Sequence, residues 1–160
     1  MKVWNPENCY GGSSDLAKKD ITIKITGRRY VGDNMEDEME FISDGTMFDR
    51  NGALYFVYDE SEFSGFPGCK TSLKLTEDTL RMKRIGSEAS GYGTELVFKK
   101  GMRFTSRYNT PYGHFDMEVL TTDVKTDLSE EGFGNIRLDY DVCFQGIAEG
   151  RNTIDIEIMQ

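Results

Sequence analysis

Two sets of polar residues flanking a short loop are where this chain is best placed to do chemistry. Arg103, Thr105 and Arg107 occupy alternate positions, and His114, Asp116 and Glu118 do the same beyond the loop Asn109-Thr110-Pro111-Tyr112-Gly113. Alternate residues of an extended chain share a face, so a hairpin here sets guanidinium groups against acids and an imidazole. A guanidinium in that setting can grip a carboxylate or phosphate through a forked, charge-assisted hydrogen bond. Tyr108 and Tyr112 add rings with hydroxyl groups beside it. Arg103, Arg107, Tyr108, Tyr112 and His114 are therefore the candidate ligand-binding residues. The plainer alternative is a salt ladder on an outer face, where each exposed pair contributes about 0–1 kcal/mol. Phe104, Phe115, Met117 and Val119 fix the parity of pairing, because a one-residue slip would set them against charges. Two registers stay open: Arg103 with Glu118 and Arg107 with His114, or Arg107 with Asp116.

Other constellations are weaker. His114 is the single histidine, and Cys9, Cys69 and Cys143 offer no ligand spacing around it, so no metal site is expected. A lone histidine also suits an axial haem ligand or a general base. Asp116, however, lies only at ordinary strand spacing, about 7 Å away, and no Gly-x-Ser-x-Gly nucleophile motif accompanies it. No catalytic residue and no cofactor are assigned. Gly65-Phe66-Pro67-Gly68 and Gly91-Tyr92-Gly93 lack the following helix that a phosphate cradle needs. They read as turns at the ends of a barrel, with Phe66 and Tyr92 shielding an opening.

The elements that must position these residues are strands. Ile21, Ile23 and Ile25 alternate with Thr22, Lys24 and Thr26, and Ile136, Leu138, Tyr140, Val142 and Phe144 alternate with polar residues. No segment keeps a helical period beyond about two turns, which leaves at most a short helix in Glu7–Lys19 or Ser87–Gly91. Asn51-Gly52 predicts a two-residue hairpin that sets Phe48 against Tyr55 and Met47 against Phe56. Glu77-Asp78 sets Leu75 against Leu80 and Leu73 against Met82. Lys99-Lys100-Gly101 suits a three-residue loop pairing Phe98 with Met102 and Leu96 with Phe104. Helix-sized crossovers are absent, which excludes a parallel sheet. An open sheet of about ten strands would twist strongly and expose two edges. The expected fold is all-β, an antiparallel up-and-down meander closed into a barrel of about ten strands, with a two-sheet sandwich as the alternative.

Tyr108-Asn109-Thr110-Pro111-Tyr112-Gly113 resembles the Tyr-x-Thr-Pro-Tyr-Gly motif of the YwiB-like family. These are small bacterial cytoplasmic proteins of unassigned function with a calycin-type, lipocalin-like β-barrel. The resemblance runs from about Asp20 to Gln160 and takes in Leu54–Tyr58, the turn Gly146–Gly150 and Asn152–Ile156. It implies a closed sheet and a ligand cavity. It brings no known ligand and no catalytic residues.

A chain of 160 residues suits one domain with a core that needs no disulfide. Residues 1–19 read as a loosely ordered extension and residues 20–160 as one barrel. The formal net charge of −9 argues against nucleic acid or an anionic membrane as partner. The acidic run Glu36-Asp37-Glu38 with Glu40 reads as a solvated strand face. No apolar run reaches the roughly 18–20 residues that span a bilayer, and no signal-peptide pattern opens the chain. Three widely spaced cysteines read as free thiols in a reducing cytosol. The leading expectation is a cytoplasmic module binding a small apolar or anionic ligand in or at the mouth of the barrel. A solid scaffold for a protein partner is the second, and a hydrolase or isomerase built on His114 the last.

Overall fold

A computed structural model describes residues 18–59, 69–85, 94–110, 113–144 and 147–160. Ten strands follow one another: β1 (Lys19–Val31), β2 (Asn34–Arg50), β3 (Ala53–Asp59), β4 (Lys70–Thr76), β5 (Thr79–Ile85), β6 (Thr94–Lys99), β7 (Arg103–Thr110), β8 (Gly113–Leu128), β9 (Gly134–Phe144) and β10 (Ile147–Met159). They form one antiparallel sheet in the order β6-β5-β4-β3-β2-β1-β10-β9-β8-β7, curled into a nearly closed barrel. Among the described residues no helix is long and apolar enough to cross a membrane. The two segments considered for a short helix fall outside the described residues, apart from Lys18 and Lys19, the second of which opens β1.

Two predicted hairpins form in the predicted register. Asn51 and Gly52 both take positive φ, 52° and 80°, and Met47 faces Phe56 while Phe48 faces Tyr55. Leu75 faces Leu80 and Leu73 faces Met82. The third is corrected. Gly101 has the expected φ of 79°, yet β6 and β7 are the two edges of the sheet and share no ladder, so Phe98–Met102 and Leu96–Phe104 are not pairs. The cause is competition from β8. The Gly101 N–H donates to the Thr121 carbonyl (2.8 Å), the Thr121 N–H donates to the Met102 carbonyl (3.1 Å), and the Met102 N–H turns back to Lys99 (2.9 Å). Thr121 sits where the β8–β9 register shifts, and the backbone groups that would open a β6–β7 ladder are satisfied there instead.

The first and last strands meet along a β1–β10 ladder, from Thr22 opposite Met159 to Tyr30 opposite Arg151. The seam of the barrel therefore lies mid-chain, between β6 and β7. Inward side chains alternate with outward ones: Ile23, Phe56, Leu73, Leu80, Ile136 and Ile156 are fully buried. Each such side chain stabilises the fold by about 1.5–3 kcal/mol relative to exposure.

The two ends of the barrel differ. At one end the turns are short, and the connection Ser129–Phe133 folds beneath the core. Its Ser129 N–H donates to the Phe133 carbonyl (2.7 Å), and a Cβ on Gly132 would lie 2.7 Å from the Met47 Sδ. The other end carries the β1–β2 hairpin, whose tip runs beyond the pairing with β10. Residues 60–68, 86–93, 111–112 and 145–146, Phe66 and Tyr92 among them, lie outside the described residues.

Candidate functional site

At this second end the core gives way to a hollow of about 300 Å³. Its position follows from where the inward series of each strand stops being large and apolar. On β1, Ile21, Ile23 and Ile25 are buried, and the next inward position is Gly27. On β5, Leu80 and Met82 are buried, and the next is Arg84, half-buried between exposed Lys83 and Ile85. One ladder row across the hollow runs Met39–Gly27–Ile154, and the row nearer solvent runs Asp37–Arg29–Asn152–Tyr140. Phe41 and Tyr58 close another side, their rings tilted at 5.9 Å.

Gly27 is the informative member. A Cβ placed on it would meet nothing within 4 Å, and its φ is not positive. Neither close packing nor backbone conformation therefore requires glycine at this point. Gly45 and Gly150 differ, since a Cβ there would lie 2.7 Å from the Val57 carbonyl oxygen and 2.6 Å from that of Tyr30. Tyr140 lies edge-on to Phe98 at 5.0 Å. Burial pushes its hydroxyl up to about 12, against the opposing pull of the Arg84 charge. It is consequently a neutral hydrogen-bond donor at physiological pH.

The outer wall carries its charges in pairs. The Arg28 guanidinium reaches Glu38 (2.8 Å) and Asp155 (2.9 Å), and Lys24 pairs with Glu40. The run from Glu36 to Glu40 is exposed strand, as expected. Arg151 forks onto Asp139, Nε to Oδ1 at 2.9 Å and Nη2 to Oδ2 at 2.6 Å, and lies 5.4 Å above the Tyr30 ring. The hydrogen bond from Arg151 holds the Asp139 carboxyl below the usual range, against the opposing effect of partial burial. The folded state thus gains stability from Asp139 above the ordinary aspartate range and loses it as pH falls through the depressed value. Asp139→Asn is expected to lower stability by about 1 kcal/mol at pH 7. Urea unfolding at neutral and acid pH should show that difference vanishing once both side chains are neutral.

A family model described as a domain of unknown function (DUF1934) matches residues 23–156. The chain belongs to this family. The fold is also that of the ywiB protein from Bacillus subtilis, whose crystal structure superposes with a TM-score of 0.68 at 19% identity, covering 92% of this chain and 97% of that one. No curated protein matches the chain. Gly27, Arg84 and Tyr140 all lie within the span matched by the family.

Of the residues expected to bind a ligand, Arg103 is the one whose side chain is described, and it stands apart from the lining of the hollow. In the β7–β8 ladder Arg107 faces Asp116, the second of the two open registers, while Arg103 faces Leu120. Pairing extends to Thr110 opposite Gly113, so the turn is shorter than the five-residue loop expected. Arg103 is exposed on the outer face and hydrogen-bonds diagonally to Glu118. Ser106 and Val119, buried on the opposite face of these strands, set that direction. Tyr108 faces Phe115 and Asn109 faces His114 in the ladder; for Arg107, Tyr108 and His114 only the backbone is described, and Tyr112 lies outside the described residues. Their hairpin does stand at the end that holds the hollow.

Proposed function

We propose that this barrel is a cytoplasmic binding module for a small molecule, apolar or anionic, held in the mouth-end hollow. The observation that carries the reading is the unfilled space over Gly27. A glycine inside a strand weakens it, and where no bulge or close backbone contact explains the residue, close approach of a ligand does. The volume of about 300 Å³ falls at the lower limit of small-molecule sites, and the walls combine rings and thioethers with a few polar groups. Free thiols at Cys69 and Cys143 support a reducing compartment. In this reading the Tyr108–His114 hairpin borders the entrance.

Gly27→Val tests the reading because it adds a side chain where a Cβ would meet nothing within 4 Å. It should abolish ligand-induced thermal shifts while leaving the melting temperature unchanged or higher, since a β-branched residue replaces glycine in a strand. Native mass spectrometry of the wild type against carboxylates, phosphates and neutral apolar compounds supplies the ligands. A variant that binds like the wild type, or a wild type that binds none of them, sinks the idea. The scaffold reading draws on a separate observation: Val31, Met35, Ile85 and Ile147 are all more than half exposed around the same end. Partner capture lost on polar substitution of these four, with no small-molecule binding, would favour it.

A further inference from the structure

We infer that the hollow selects a flat ring compound bearing a hydrogen-bond acceptor, its ring laid over Gly27 and its acceptor taken by the Tyr140 hydroxyl. The inference rests on the hollow being a ligand site and names the class of ligand. Tyr140 continues the inward series of β9 after the fully buried Ile136 and Leu138, and it lines the hollow. Its ring is fixed edge-on against Phe98 (5.0 Å), so the hydroxyl is carried on a packed stem. No group among the described residues hydrogen-bonds to that hydroxyl. Its ladder neighbour Thr121 also has a buried hydroxyl without a partner, but Thr121 is sealed in the interior and does not line the hollow. On the other side Asn152 turns its amide N–H to the Gly150 carbonyl (3.4 Å). A partly buried hydroxyl left without a partner costs free energy that an acceptor on a ligand recovers.

The rest of the wall sets the body of the ligand. Phe41 and Tyr58 present tilted rings, and Met39 and Met82 present thioethers, surfaces that favour an aromatic neighbour over an aliphatic one. Gly27 leaves a bare stretch of strand beside Ile154, where a planar ring can lie against backbone that a side chain would otherwise cover. The ladder row through Gly27 and Ile154 continues to Leu138, and Tyr140 is the next inward residue of β9. Anchor and open floor therefore belong to one wall. A cavity of about 150 Å³ takes benzene, so one of about 300 Å³ takes two fused rings.

Amide chemical-shift titration of the full chain with quinoline, naphthalene and cyclooctanone tests the inference. Quinoline presents a neutral ring nitrogen as acceptor, naphthalene has the same shape without one, and cyclooctanone carries an acceptor on a puckered aliphatic ring. The wild type should bind quinoline about three- to tenfold tighter than naphthalene, and tighter than cyclooctanone, with shifts centred on Gly27 and Ile154. Tyr140→Phe keeps the ring and its contact with Phe98 and removes the hydroxyl alone. It should bring quinoline to within about twofold of naphthalene without lowering the melting temperature. Tyr55→Phe, on a ring stacked against Phe48 outside the barrel, should keep the whole preference. Equal binding of quinoline and naphthalene, or a preference that survives Tyr140→Phe, overturns the acceptor assignment while the hollow stays a ligand site. Cyclooctanone binding as tightly as quinoline overturns the flat-ring assignment in the same way. Absence of binding by all three probes overturns both the inference and the reading beneath it.

Discussion

Replacing Phe98 with alanine is expected to lower unfolding stability by about 3–5 kcal/mol. Phe98 is fully buried on β6, an edge strand whose ladder partner is β5. Across the seam its ring lies edge-on to Tyr140 of β9 at 5.0 Å, a geometry worth about 0.5–1.5 kcal/mol beyond area burial. Backbone hydrogen bonds hold every other neighbouring pair of strands, whereas β6 and β7 share none. Side chains must therefore carry the closure there, and removing the ring both leaves a cavity and loosens the seam. Urea unfolding followed by circular dichroism gives the magnitude, and amide hydrogen exchange gives the location. Faster exchange confined to β5 and β6, with a loss of several kcal/mol, is the expected pattern. A loss below about 1.5 kcal/mol would mean that the seam does not depend on this ring.

The seam shows where sequence reading stops. Alternation and turn chemistry made β3, β4 and β5 legible to the residue, because Asn51-Gly52 and Glu77-Asp78 close two-residue turns between strands whose inward sides match. At Lys99–Gly101 the same reasoning finds the turn and misassigns its partners, since turn residues report local φ and not where the freed hydrogen bonds go. The long β1–β2 hairpin is obscure for a different reason. From Arg28 to Glu38 both faces are wet, so hydrophobic alternation has nothing to mark. In the β7–β8 pair, parity was legible from Val119, but the choice between registers two residues apart rested on exposed polar pairs that discriminate weakly.

The hollow was hidden by a related effect. Arg103 and Arg107 draw attention because charges cluster in sequence, and clustering on alternate positions is also how an outer ion ladder looks. Arg84 and Gly27 are single residues whose meaning comes from the series they end: Leu80, Met82, then a cation; Ile21, Ile23, Ile25, then no side chain. Following each inward series to its last member finds the hollow's wall without any motif. What the series cannot supply is how the strand ends are arranged around one another, which depends on the bulges at Arg29/Tyr30 and Thr121/Asp123.

The opposite end of the barrel offers a second large effect. Gly134→Ala is expected to lower stability by about 3 kcal/mol or more. Gly134 opens β9 opposite Leu128 with φ of 141°, a region that side chains rarely occupy. A Cβ there would fall on the Asp127 carbonyl oxygen and within 3.1 Å of the Leu128 Cα. Both are backbone atoms held in the β8–β9 ladder, so relief requires opening the rung that anchors the Ser129–Phe133 connection. Gly101→Ala separates the two contributions. Gly101 also has positive φ, 79°, but a Cβ there would meet nothing within 4 Å. Its substitution carries the conformational cost alone, about 1 kcal/mol. The difference between the two variants, measured by denaturant unfolding under one set of conditions, reports the steric clash. Equal losses would show that the β8–β9 connection yields easily and that this end of the barrel is not anchored there.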